Sequence, residues 1–380
     1  GACPRQRPGT IAMQALILVG GEGSRLRPLT STMPKPIVPL VDQPFLSYML
    51  EWLRRHGVDE VVLSVGFLAD GVKAVLGDGE RYGVSLTYVE EPEPLGTGGA
   101  LKYAEELLAE RFFMLNGDVL TDIDLTAQLV QHERTGARAT LALVPVTDPS
   151  AYGLVPLGDD GSVREFLEKP GADELVDTNL INAGAYILER EVLAGMAPAG
   201  TNISIERDVF PTLVGHGLYG CPSDRYWLDI GTPSRYLQAT FDILEGNVET
   251  GIGTRLSDSG MRLLDDVQAK GRVVAPAVIG TDCVVGAGAI VGGRVVLGND
   301  VRIDDGSRVE SSVLLDGVSI GPGCMIRDAI IGPGATIGSR CRIADGAVLG
   351  RAVRIGSDNT LAAGVRIFPD VELPDEAIRF

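Results

Sequence analysis

From Ile279 onward the chain repeats itself every six residues. Ile279, Val285, Val291, Leu297, Ile303, Val309 and Leu315 are aliphatic at a strict step of six. The step shortens by one residue before Ile320 and again before Ile331, and otherwise runs on through Ile326, Ile337, Ile343, Leu349, Ile355, Leu361 and Ile367. Two residues ahead of each stands a small or β-branched residue, among them Ala277, Cys283, Ala289, Val295, Val301, Val313, Ala335, Cys341 and Ala347. A buried helix face would repeat every three or four residues and a half-buried strand every two. A sustained step of six instead suits a triangular coil of short parallel strands, each turn burying one large and one small side chain against the next. Three cysteines fall on the small positions, where a thiol serves as a small hydrophobe. Phe368, Pro369 and the tail to Phe380 are expected to cover the end of the coil.

Ahead of the repeat, short apolar runs alternate with helical patterns from Met13 to Asn247. "QALILVG", "EVVLSVG", "SLTYVEE", "FFMLNGD" and "ATLALVPV" read as strands of an α/β domain with a mostly parallel sheet, covered on both faces. Segments such as "PFLSYMLEWLRRHG" read as the helices between them, and Asp122 and Asp124 as caps of a helix starting near Leu125. Four regions follow: an N-terminal extension over 1–12, the α/β domain over 13–247, a linker over 248–274, and the coil with its tail over 275–380.

Charge and composition limit the partners. A formal net charge of −18 opposes nucleic acid and anionic lipid at long range, and no apolar run approaches the ~18 residues of a membrane span. The five cysteines include no CxxC pair, which fits a reduced cytoplasm and gives no zinc site. The first twelve residues lack the apolar core of a secretory signal and stop just before Met13.

The densest chemistry lies in "LVGGEGSRLRPLTSTMPKP", residues 18–36, which follows the first strand. A dinucleotide fingerprint would need a glycine where Leu26 stands, and no Walker A string occurs. Glycines without Cβ let the backbone close on a phosphate or a base. Arg25 and Arg27 can fork phosphate oxygens, and Lys35, held between Pro34 and Pro36, adds a point charge. In open α/β sheets ligands bind beyond the carboxyl ends of the strands, where this loop belongs.

The pattern GGxG[ST]RLxPxT followed by PKP resembles the sugar-1-phosphate nucleotidyltransferases, and within them most resembles the mannose-1-phosphate guanylyltransferase group. Later motifs stand in that family's order: "EEPEPLGTGGAL" at 90–101, "LNGDV" at 115–119, "YGLV" at 152–155, "EFLEKP" at 165–170, "NLINAGAYIL" at 179–188, "SIERDVFP" at 204–211 and "YWLDIGTP" at 226–233. The repeat resembles the hexapeptide left-handed β-helix that often follows this catalytic domain. The fold implied is an α/β, Rossmann-like nucleotidyltransferase domain followed by a left-handed parallel β-helix.

The resemblance implies transfer of a nucleotidyl group from GTP, or another NTP, to a sugar 1-phosphate, with Mg²⁺ as cofactor. Arg25, Lys35 and Asp118 are the expected catalytic residues, with Arg27 a weaker candidate, and Asp118 and Asp229 the metal carboxylates. Gly20, Gly21, Gly23 and Ser24, with Leu95, Gly96, Thr97 and Gly98, would meet the nucleotide. Gly153, Glu168, Lys169 and Asn182 would hold the sugar phosphate. Phosphoryl-type transfer needs positioning and charge neutralisation rather than a covalent intermediate. His56, His132 and His216 read as structural or surface residues. No histidine follows His216, so the coil lacks the base of a hexapeptide acyltransferase and reads as a surface for homo-oligomers. Two alternatives stay open: a glucose-1-phosphate enzyme using UTP, dTTP or ATP, and a regulatory subunit that binds an NDP-sugar without making it.

Overall fold

The computed structural model describes residues 13–66, 68–148, 152–168, 178–257 and 259–379. They fall into two compact units, each discontinuous in sequence: Gly1–Gly21 with Met49–Trp227, and Glu22–Tyr48 with Leu228–Phe380. The N-terminal extension and Lys169 lie outside the described residues.

The first unit is built on a nine-stranded mixed sheet. Its strands include β1 (Met13–Val19), β2 (Val58–Val65), β3 (Ser85–Glu90), β4 (Arg111–Asn116), β5 (Ala139–Pro145), β6 (Leu180–Glu189) and β7 (Leu218–Pro222). The order is β3-β2-β1-β4-β6-β5-β7, with the first four mutually parallel and β6 antiparallel to both its neighbours. Ala15, Leu16 and Ile17 are fully buried in succession, as a strand covered on both faces requires. Leu16, Val62, Phe112, Met114, Leu141, Tyr186 and Phe210 share one core. Because β1 to β4 run the same way, their carboxyl ends meet at one edge and deliver Gly20, Gly66, Glu91 and Gly117 there. Asp124 caps the helix Leu125–Thr135, accepting from the Ala127 amide at 2.9 Å. Asp122 does something else: its Oδ1 accepts from the Tyr226 amide at 2.9 Å, tying the turn after β4 to a segment a hundred residues on.

The second unit holds the coil. Its strands stack into three parallel sheets of seven, seven and six, the arrangement expected of a left-handed β-helix with a hexapeptide period. Ile279, Val285, Val291, Leu297, Ile303, Val309, Ile320, Ile326, Ile331, Ile337, Ile343, Leu349, Ile355 and Leu361 line its core, and Cys283, Cys324 and Cys341 take small inward positions. One expectation is corrected: Leu314, not Leu315, points inward, in register with Leu297 below and Ile331 above. Both shortened steps therefore fall at the same corner, before Leu314 and before Ile331. With the frame moved, Ser312 replaces Val313 at the small position, and its buried hydroxyl accepts from the Ala329 amide at 3.1 Å. The residue before the small position repeatedly adopts positive φ, as at Asp282, Asp300 and Asp358, a conformation Asp tolerates better than most side chains. Phe368 is half exposed. Further along the tail, Ile378 packs on the core, and its amide donates to Asn359 Oδ1 at 2.8 Å.

Candidate active site

In the first unit the site grows from the strand ends. A Cβ on Gly66 would lie 2.8 Å from the Gly20 carbonyl, and one on Gly117 would lie 2.3 Å from Val19 Cγ1. Side chains at these positions would push β1, β2 and β4 apart where they converge. Gly20 packs against the Glu91 carboxylate, since a Cβ there would come within 2.7 Å of Oε1. Glu91 is fixed in turn by Ser64, whose hydroxyl donates to Oε1 at 2.8 Å, and by the Leu95 amide at 3.3 Å. Asp118 directly follows Gly117, whose amide donates to the Leu18 carbonyl at 2.9 Å. Gly20, the start of the 95–98 loop and the Asp118 turn thus share one edge of one sheet.

The 95–98 segment opens the helix Gly96–Tyr103. Its glycines serve packing as well as any ligand: a Cβ on Gly96 would lie 2.5 Å from the Ile203 carbonyl, which accepts from the Gly98 amide at 2.8 Å. The Thr97 hydroxyl donates to Glu206 Oε2 at 2.6 Å and accepts from the Ile205 amide at 2.9 Å. Ser204 adds a donor to the same carboxylate oxygen at 2.8 Å. Asn182 is set by its own strand, accepting from the Gly184 amide at 3.0 Å and donating to the Tyr186 hydroxyl at 2.8 Å. Gly153 and Glu168 stand opposite each other in a short antiparallel ladder, which joins the Asn182 strand through Leu154 and Ile181. Three of the four residues expected on the sugar side are therefore neighbours by backbone register. Beside them the Tyr152 and Trp227 rings meet edge to face at 5.5 Å, and the Trp227 indole donates to the Ala183 carbonyl.

The second unit carries the charged loop. Gly23 has φ +62, and a Cβ there would lie 3.2 Å from Lys35 Cβ and 3.3 Å from Thr30 Cγ2. Its carbonyl accepts from the Leu26 amide and from the Thr30 hydroxyl. Ser24 and Arg25 thus lie in a tight turn folded onto Lys35, whose side chain is buried at 9% exposure. Arg27 is paired with Glu22 at 3.0 Å in an exposed ion pair. A Cβ on Gly231 would lie 2.7 Å from Asp229 Oδ1 and 2.8 Å from Arg25 Nη2. The Arg25 guanidinium and the Asp229 carboxylate therefore converge on one glycine, with Arg235 3.3 Å from Asp229 Oδ2.

Sequence motifs singled out Gly20, Thr97 and Asp229 among the candidates, but not Glu91, Glu206 or Arg235, which contact these three. The only signal for these was their place inside "EEPEPLGTGGAL", "SIERDVFP" and "YWLDIGTP". His132 is buried, with Nδ1 2.8 Å from Thr140 Oγ1 and Nε2 3.0 Å from Glu189 Oε1. Burial pushes its pKa down. Among the described residues no three His, Cys, Asp or Glu side chains form a metal-holding group. A divalent ion with only one or two protein carboxylates would have to complete its shell elsewhere, as Mg²⁺ does with water and phosphate oxygens.

Residues 14–246 match the family "Nucleotidyl transferase", and residues 273–379 match the "GMPPB C-terminal domain". The mannose-1-phosphate guanylyltransferase of Mycobacterium tuberculosis is 38% identical over 375 residues, covering 98% of each chain. The UTP–glucose-1-phosphate uridylyltransferase of Synechocystis sp. is 34% identical over 352 residues, covering 83% of this chain and 86% of its own. Among solved structures, HddC from Yersinia pseudotuberculosis complexed with GMP-PN shares 30% identity at a TM-score of 0.52, over 60% of this chain and 97% of that one. A family match that spans the whole α/β region, and a relative alike from end to end, make this chain a member of the nucleotidyl transferase family.

Proposed function

We propose that this chain transfers the guanylyl group of GTP to mannose 1-phosphate, releasing pyrophosphate and forming GDP-mannose. The observation that carries the reading is the 38% identity, over 98% of both chains, to a mannose-1-phosphate guanylyltransferase. We assign the chemistry to residues 13–247. A phosphate oxygen of the sugar attacks the α-phosphorus, the new P–O bond forms, and the bond to the β-phosphate breaks with its electron pair leaving on pyrophosphate. The nucleophile is already ionised, so no general base is required, and the work is alignment and neutralisation of charge.

Arg25 takes the phosphates of the nucleotide and steadies the leaving pyrophosphate, and Lys35 neutralises the reacting phosphate. The loop of Gly20, Gly21, Gly23 and Ser24 approaches the nucleotide by backbone. Leu95, Gly96, Thr97 and Gly98 close on base and ribose. Because the Thr97 hydroxyl is engaged by Glu206 and the Ile205 amide, its contact comes from the backbone or the methyl group. Gly153, Glu168, Lys169 and Asn182 receive the sugar phosphate. Asp118 and Asp229 are hard oxygen donors suited to Mg²⁺, which supplies charge neutralisation on the phosphates when bound.

The uridylyltransferase relative supports a second reading, UTP with glucose 1-phosphate. The retained Arg25, Lys35, Asp118 and Asp229 argue against a regulatory subunit that has lost catalysis. Pyrophosphate release with Mg²⁺, across GTP, UTP, dTTP, ATP and CTP against mannose, glucose and N-acetylglucosamine 1-phosphates, decides among them. A dominant signal for GTP with mannose 1-phosphate is expected. A dominant signal elsewhere moves the substrate, and silence in every combination from folded protein overturns the enzyme.

A further inference from the structure

One outward-facing row of the coil behaves unlike the others. Its ladder runs Arg262, Val278, Val296, Val313, Ile330, Val348 and Arg366 in continuous register. The five aliphatic members are 0–3% exposed, so this outer face is covered along its length. Both ends of the row are arginines, and both reach residues 22–48. Arg262 Nη1 donates to Asp42 Oδ2 at 2.6 Å, a buried carboxylate that also accepts from Arg255 and from the Tyr48 hydroxyl. Arg366 Nη1 donates to the carbonyls of Arg25 at 3.2 Å and Arg27 at 3.0 Å. In the same segment the Pro39 carbonyl accepts from the Tyr236 hydroxyl.

Arg25 lies in the short helical turn Ser24–Leu26. The last carbonyls of such a turn have no partner within it, and a cation is well placed to accept that role. Here the cation comes from the coil, more than three hundred residues away in sequence. A guanidinium bridging the two carbonyls fixes the peptide planes that follow Arg25 and Arg27. It thereby sets the directions in which the Arg25 and Arg27 side chains leave the backbone.

We propose that Arg366 is a positioning residue for nucleotide binding: the coil braces the phosphate loop from behind, so that Arg25 meets the nucleotide already oriented. The inference rests on the nucleotidyl-transfer reading above. It gives the coil a part in the reaction that is independent of any assembly role.

The test uses the full chain with Arg366→Ala, Arg366→Lys and, as control, Arg354→Ala, an outward arginine on another face whose side chain donates to Glu372. Hydrogen exchange without substrate should show the Leu26 and Arg27 amides of Arg366→Ala exchanging about tenfold faster, as loss of a charge-assisted bond allows. The KM for GTP should rise about tenfold while that for mannose 1-phosphate stays within about twofold. Arg366→Lys should recover part of both effects, and Arg354→Ala should show neither. Should the alanine variant fail to fold, Arg366→Gln takes its place.

Unchanged loop exchange overturns the proposal. So does faster exchange with unaltered kinetics, or an equal effect from Arg354→Ala. If the wild-type chain turns over no nucleotide with any sugar phosphate, the reaction reading fails instead. Direct GTP binding then replaces KM, and the exchange data still decide whether Arg366 holds the loop.

Discussion

The carboxyl edge of the parallel strands and the coil solve opposite packing problems. At the sheet edge, Gly66 and Gly117 let backbones approach where any Cβ would collide, and each contact occurs once. In the coil each contact is repeated, so that Leu297 meets Leu314, Leu314 meets Ile331, and Ile331 meets Leu349 along one face. The difference teaches where damage should be local and where it should abolish function. Single atoms matter at the edge, whereas buried volume matters in the coil.

The largest expected effect tests the first half of that contrast. Asp118→Asn, which keeps size and removes charge, should lower kcat by at least about a hundredfold at saturating Mg²⁺, the usual cost of losing one preorganised electrostatic group. Near-normal turnover from the folded variant would remove Asp118 from the metal set. In the coil, Ile303→Ala should cost about 3 kcal/mol through lost burial and the cavity left behind, since Ile303 is fully buried. Calorimetry should show the coil melting earlier while activity of the folded protein stays close to normal, because each turn leans mainly on its neighbours.

Smaller effects sharpen the boundary between the two. Thr97→Val deletes the donor to Glu206 and the acceptor for the Ile205 amide. It should cost about 1–3 kcal/mol in urea unfolding, with a raised KM for GTP if the 95–98 loop meets the nucleotide. His132 comes next. Burial holds its pKa below 6.5 in the folded chain, so its neutral form contributes stability that is fully present above pH 6.5. That contribution is lost as pH falls from there through the depressed folded value, because the unfolded chain then binds the extra proton. His132→Gln, which keeps a donor for Glu189, should flatten that part of a Tm against pH curve. Smallest of all, Glu22→Gln breaks an exposed pair with Arg27 and should change stability by no more than about 0.5 kcal/mol.

Legibility in the sequence followed the same contrast. The coil could be read because its period is set by geometry that every turn shares. The misassigned frame fell where Leu314 and Leu315 are adjacent and hydropathy cannot choose between them; register with Leu297 makes the choice. The strands of the first unit were legible as apolar runs, and the site glycines, Arg25, Lys35 and both aspartates through motif resemblance. What holds them was not. Glu206 acts on Thr97 from 109 positions away, and Asp122, expected as a cap, holds Tyr226 instead. Asp42 gave no sign of gathering Arg255, Arg262 and Tyr48.

By itself, then, the sequence determined the local rules of this protein: a six-residue period that can bury itself only as a coil, apolar strands that need cover on both faces, and glycines where backbones must touch. Tertiary structure alone decided which distant groups meet. Hydrogen bonds such as those from Arg366 to the Arg25 and Arg27 carbonyls join residues whose separation carries no pattern. Their geometry exists only once the coil has stacked to the seventh strand of that face and the loop has folded around Gly23.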